Sequence, residues 1–186
     1  MEVIMHEVSL NRVITDYLTG LEIMDTTYED LRQALAKLLV EDRKYPRELI
    51  RSKYELVFTV NGEPHTVAID LAVFNERMEP LLALFFCPGE VGTFVRESLA
   101  AARIHQPAPF PLVMVTDSME LHLVEARSGE LLGQGFNAVP RWDAVHDLAA
   151  AHPCPLPGVD RLDKERRILA AYDGLGGPCC GAECST

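Results

Sequence analysis

Lys53-Tyr-Glu-Leu-Val-Phe-Thr-Val60, His65-Thr-Val-Ala-Ile-Asp-Leu-Ala-Val-Phe74 and Pro80-Leu-Leu-Ala-Leu-Phe-Phe-Cys87 follow one another closely, and together they decide the fold. The first is rich in β-branched and aromatic residues, which suit a pleated, half-buried surface. Asn61-Gly62, between the first and second, is a strong signal for a two-residue hairpin turn. The polar stretch from Asn75 to Glu79 marks a second turn. The third segment is apolar without interruption, as befits a central strand buried on both faces. These features predict an antiparallel meander over residues 53–60, 65–74 and 80–87.

Working outward, Thr26 with Glu29, or Thr27 with Asp30, has capping-box spacing, so a helix is expected to start here. Leu31, Leu35, Leu38 and Leu39 form one apolar stripe along it. Pro46 disfavours helical geometry at Tyr45, so the helix should run from about residue 27 to 44. Residues 1–25 show no clear period and read as an N-terminal arm. On the other side, Cys87-Pro-Gly-Glu90 ends the third strand, and residues 92–105 read as a helix. Leu112 to Thr116 is a short buried strand. Leu121 to Ala126, Ser128-Gly129 and Leu131-Leu132 suggest strand, turn and strand. Residues 142–151 and 160–173 look helical, separated by His152-Pro-Cys-Pro-Leu-Pro-Gly158. A helix crossing from the third strand to the fourth implies a parallel pair within a mixed sheet. The expected class is therefore α/β, a mixed β-sheet with flanking helices. The expected divisions are an arm (1–25), a core domain (26–151), a C-terminal helix behind a Pro-rich linker (152–173) and a loose Gly/Cys-rich tail (174–186).

Composition narrows the functional classes. The chain of 186 residues carries 17 Lys and Arg against 28 Asp and Glu, a net charge of -11. Duplex-DNA binders gain affinity by neutralising phosphates, so the overall field opposes broad nucleic-acid binding while leaving room for a local basic site. No run approaches the ~20 apolar residues of a membrane span, and the acidic start of the chain is unlike a signal peptide, so a cytoplasmic location is expected. The five cysteines form no disulfide framework. Cys179, Cys180 and Cys184 offer up to three soft metal ligands, with a flexible tail as the plain alternative. Cys87, just ahead of a helix start, reads either as a nucleophile or as a buried inert thiol. Arg43, Lys44, Arg47, Arg51 and Lys53 make the most basic stretch and could grip phosphates, although Glu41, Asp42 and Glu48 are interleaved.

The order of elements resembles the core of the PD-(D/E)XK nucleases, the restriction-endonuclease-like fold. More closely, it resembles the N-terminal domain of type I restriction enzyme R subunits and related stand-alone proteins. The matching stretches are Thr27-Tyr-Glu-Asp-Leu-Arg-Gln33, Leu39-Val-Glu-Asp-Arg-Lys-Tyr-Pro46, Ile69-Asp-Leu-Ala-Val-Phe74, Pro80-Leu-Leu-Ala-Leu84 and Leu112-Val-Met-Val-Thr-Asp117. The resemblance implies an acidic residue on the second strand and a Glu-x-Lys on the third, which together hold a divalent metal. The first maps onto Asp70. The second maps onto Phe85-Phe86-Cys87, a complete departure at Phe85 and Cys87. If the turn centres near Arg77, Asp70 faces Phe85 across the pair, and residues 85 and 87 share a face. Mg²⁺ requires oxygen ligands and would find one carboxylate, a benzyl ring and a thiol. The leading expectation is a catalytically degenerate nuclease-fold domain without a cofactor. It would act as an interaction or nucleic-acid-associated module whose partner is a protein, a nucleic acid or a second copy of the chain. The alternative is a Mg²⁺-dependent DNA endonuclease with a rearranged site of Asp70, Glu90 and Glu29. The plain readings are a backbone- or Arg-bonded aspartate, a solvated loop glutamate and a helix-cap residue.

Overall fold

The computed structural model of the protein describes residues 9–175. Strands β1 (Ser9–Thr15) and β2 (Glu22–Thr26) form an antiparallel ribbon. Helix α1 (Glu29–Lys37) runs on through a π-helical turn at Leu38–Asp42. Then come β3 (Ile50–Val60), β4 (Glu63–Phe74), β5 (Pro80–Phe86), α2 (Val91–Ile104), β6 (Leu112–Thr116), β7 (Leu121–Glu125), β8 (Leu131–Gln134), α3 (Trp142–Ala151) and α4 (Val159–Leu175). The main sheet has six strands in the order β3-β4-β5-β6-β7-β8. All its neighbours are antiparallel except β5 and β6, which α2 connects as a parallel pair. The class is thus α/β with a mixed sheet and flanking helices. Among the described residues, no helix is long and apolar enough to cross a membrane.

The meander forms where its alternation and turns require it. Asn61 (φ 52°) and Gly62 (φ 89°) both take the left-handed conformation that a tight two-residue hairpin demands. The second turn is held by Asn75, whose side-chain oxygen accepts the amides of Arg77 and Glu79, each at 2.9 Å. The N-terminal arm carries the β1–β2 ribbon from Ser9. One expectation is corrected just beyond it. Helix α1 starts at Glu29, with Tyr28 in the N-cap position and no side-chain capping bond, rather than on a Thr-based box. The Tyr28 ring packs on Phe86, 4.9 Å between centroids, and the Glu29 carboxylate is drawn inward to cations.

Two cores sandwich the sheet. Leu35 and Leu39 of α1 and Val145 and Ala149 of α3 pack against Leu71, Val73, Leu82, Leu84 and Met114. Leu99 and Ala102 of α2 and Leu169 of α4 pack against Ala72, Ala83, Val113 and Val115. The division cuts across the β3–β4 hairpin. Its register is unbroken, Ser52 with Leu71 and Tyr54 with Ile69. Yet Ile50, Leu71 and Val73 feed the first core, whereas Leu56, Phe58 and Ile69 feed the second. Strict alternation would keep Ile69 and Leu71 on one face. The faces change over between these pairs, at Lys53, a non-glycine residue at φ 47°, and at Asp70. Left-handed geometry in mid-strand costs roughly 1–3 kcal/mol and persists only where its surroundings impose it.

Helix α4 docks through a buried charge. Glu165 is fully buried, and its Oε1 accepts Arg103 Nη1 at 2.9 Å and Arg161 Nε at 2.8 Å, while Arg96 Nη2 lies 2.6 Å from Oε2. Arg103 also donates to the carbonyls of Ala126 (2.7 Å) and Arg127 (3.2 Å). Burial pushes the Glu165 carboxyl up, but the arginines outweigh it and its pKa stands below the ordinary value.

Candidate functional site

The changeover point of the hairpin is also where polar groups converge. Asp70, on β4, is buried; its Oδ2 accepts the Phe86 amide at 2.7 Å, and its Oδ1 lies 3.6 Å from Arg32 Nε. Arg32, from α1, also forms an ion pair with Glu29, both side chains being almost wholly buried. Lys53, on β3, brings its Nζ to 3.2 Å from Glu29 Oε2. Gln33 donates to Glu29 Oε1 and to Asp16 Oδ1, both at 2.8 Å, and accepts the Tyr17 amide at 2.6 Å. Asp16, in the turn of the ribbon, also accepts the amide and hydroxyl of Thr19 at 2.8 and 2.6 Å. Burial pushes the Asp16 carboxyl up, but these bonds outweigh it and its pKa stands lowered. The network runs from the ribbon turn through α1 to the end of β5.

Positions 29, 32 and 33 stand on one helix face because residues three and four apart are neighbours there. Sequence reasoning singled out Asp70 and Glu29 and missed Arg32, Gln33 and Asp16. The i, i+3, i+4 spacing of Glu29, Arg32 and Gln33 was the signal that could have found them.

Glu90, the third carboxylate of the expected set, is exposed at the N-cap position of α2, where its backbone carbonyl accepts the Thr93 hydroxyl at 2.7 Å. Phe85 packs against the core under α2, and Cys87 is fully buried in that core. Both turn away from the face on which Glu29 and Arg32 stand. These residues do not fit a Mg²⁺ ion. The Asp70 and Glu29 carboxylates are held by an amide and by cations, and the remaining two positions supply a ring and a thiol. Among the described residues, no group of three or more His, Cys, Asp or Glu side chains is arranged to hold a metal ion.

The Cys87 thiol donates to the Gly89 carbonyl at 3.4 Å, and burial pushes its pKa up, the reverse of what a nucleophile needs. In the native protein, Cys87 should resist a neutral-pH alkylating reagent and react only after denaturation. Peptide mapping that finds it labelled as fast as a free thiol would contradict the geometry.

The basic stretch is occupied internally. Arg43 Nη2 donates to the Phe136 carbonyl at 2.8 Å, Lys44 Nζ to the Glu41 carbonyl at 2.6 Å, and Arg51 Nη1 to the Glu48 carbonyl at 2.6 Å. Arg47 lies over the Tyr17 ring at 4.4 Å, and Lys53 belongs to the network above. Arg43 and Arg47 thus tie the α1–β3 connection to its neighbours, Lys44 and Arg51 bond to carbonyls three residues away, and Lys44 and Arg47 stay exposed. Cys179, Cys180 and Cys184 lie outside the described residues. A cavity of about 150 Å³ beside Tyr54 and His105 contains no second reactive constellation. The two ring nitrogens of His105 are bonded to the Ala108 carbonyl and the Tyr54 hydroxyl, and burial lowers its pKa.

The fold is an α/β domain with a mixed six-stranded sheet, whose second meander strand presents a buried aspartate to a helix-borne arginine. Residues 27–140 match the type I restriction enzyme R protein N-terminus family, and the chain belongs to that family. The match runs from the residues just before α1 through β8 and takes in the whole six-stranded sheet. No curated protein and no solved structure matches the chain.

Proposed function

We propose that this chain is a non-catalytic member of the R-subunit N-terminal family. In this reading it descends from the PD-(D/E)XK nuclease fold and is retained as an interaction or nucleic-acid-associated module. One observation carries the reading: the Arg32 guanidinium bridges Glu29 and Asp70, the two carboxylates that a catalytic metal would need. Phe85 and Cys87, in the positions of the Glu-x-Lys, supply neither a further oxygen ligand nor a cation to assist an attacking water. Mg²⁺ keeps roughly octahedral oxygen coordination and sheds its water reluctantly, so a carboxylate already paired to a guanidinium is a weak competitor for it. The endonuclease alternative requires Glu90 to join Asp70 and Glu29, and its place at the exposed start of α2 gives that no support.

The purified chain, supplied with Mg²⁺ or Mn²⁺, is expected to leave plain duplex and single-stranded DNA uncut. Metal-dependent cleavage that Asp70→Ala abolishes would overturn the proposal and install the endonuclease reading.

A further inference from the structure

The Glu165 cluster is unbalanced. Three guanidiniums converge on a single carboxylate, an excess of two positive charges in direct contact, within a chain whose net charge is -11. Buried charge is ordinarily matched by its opposite. Of the carboxylates on β7 and α4, Glu125 pairs with His152 at 3.4 Å and Asp163 with Arg166 at 3.5 Å. The three arginines also differ in exposure. Arg103, 7% exposed, engages all three of its guanidinium nitrogens, with Glu165 and with the Ala126 and Arg127 carbonyls. Arg96 and Arg161, 38% and 58% exposed, each give one nitrogen to Glu165 out of a five-donor fork. Arg96 Nη1 is buried without a hydrogen-bond partner among the described residues. A planar fork of this kind matches the oxygens of a phosphate group.

We propose that Arg96 and Arg161, gathered beside Arg103, form a phosphate-binding site at the α2–α4 junction. This site lies on the opposite side of the sheet from the Asp70 network. The ligand is a phosphate group, carried either by a nucleic-acid backbone or by a small phosphorylated molecule. Only the nucleic-acid choice rests on the proposed function; the phosphate chemistry does not. The acidic remainder of the chain repels polyanions, which confines binding to this junction and makes it salt-sensitive.

The test uses the full chain. Melting temperature is measured against inorganic phosphate, with chloride at matched ionic strength as the reference. Phosphate should raise it saturably. Arg96→Gln/Arg161→Gln should remove that rise while keeping far-UV circular dichroism and cooperative unfolding. Arg47→Gln/Arg51→Gln, on the α1–β3 connection, should leave it intact. Glu165→Gln supplies an independent variant: with the competing carboxylate neutralised, its melting temperature should rise more with phosphate than the parent's does. In a second arm, anisotropy of a labelled short oligonucleotide should show affinity weaker by at least about tenfold in the double arginine variant, tenfold being the scale of a single lost charge-assisted contact. A response to phosphate and to the oligonucleotide assigns a nucleic-acid backbone. A response to phosphate alone assigns a small phosphorylated ligand. Equal melting in phosphate and chloride for both the parent and Glu165→Gln overturns the site and reduces the cluster to a clamp on α4. Metal-dependent DNA cleavage would sink the function proposed above and leave the phosphate measurement readable.

Discussion

Arg32→Met should lower the unfolding free energy by about 3 kcal/mol, the lower end of the cost of removing one partner from a buried ion pair. The side chain it replaces is 2% exposed and its partner Glu29 is fully buried, so water cannot take over. Lys53 and Gln33 remain on Glu29, which keeps the loss from the upper end of the range. The pair itself need not be strongly stabilising. Glu29→Gln/Arg32→Met, which removes both charges of the pair, should therefore recover part of the loss, the remainder staying with Asp70 and Lys53, each of which loses one partner. Urea melts of the parent, the two single variants and the double variant give the coupling energy. If Arg32→Met melts like the parent, Arg32 is not what holds the two carboxylates together.

Phe85→Glu/Cys87→Lys should cost roughly 3–5 kcal/mol in the absence of metal, through lost packing and through charge placed in the core under α2. The register of β4 with β5, Leu71 opposite Leu84, sets Asp70 beside Phe85. A Glu there would add a second carboxylate one strand away from Asp70, an arrangement that is costly without a cation. Mg²⁺ or Mn²⁺ should recover part of the loss by binding the folded state alone. Asp70→Ala in the same background should abolish that recovery. Melting temperature against metal concentration is the readout. An unchanged melting temperature, or equal recovery in the Asp70→Ala control, would remove the ground for mapping the nuclease motif onto these positions.

The meander, the parallel crossover and the helices of the main body could be read from the sequence because each has a local cause. Asn61-Gly62 fixes a turn, Pro80 to Phe86 is apolar throughout, and Leu35 and Leu39 repeat at helical spacing. The ribbon had no such cause. Val13 and Met24 are exposed while Ile14 and Ile23 are half-buried, so burial is slight on both faces and no alternation stands out. Its order comes instead from cross-strand pairing and from Asp25, which is buried against Arg12. The changeover at Lys53 was equally silent, because a lysine carries no mark of a left-handed conformation as a glycine does. At the site, the sequence pointed to Asp70 and Glu29 as carboxylates but not to the cations that hold them. Motif matching finds the ligands a metal would use and overlooks what replaces the metal. The Glu165 cluster joins Arg103 to a residue 62 positions away, beyond any local pattern.

The exchange of faces at Lys53 and Asp70 has a consequence for breathing motions. Beyond that point, residues 54–60 and 63–69 pair only with each other and share their core with α4, while residues 71–74 are also zipped to β5. Opening α4 would uncover the outer half of the hairpin, while the inner half, whose Ala72 and Phe74 share that core, stays paired to β5. Amide hydrogens of Leu56 and Phe58 should therefore exchange with solvent deuterium in step with those of α4, and those of Leu71 and Val73 in step with the central strands. One continuous pair of strands would then report two separate unfolding events, divided at a single lysine.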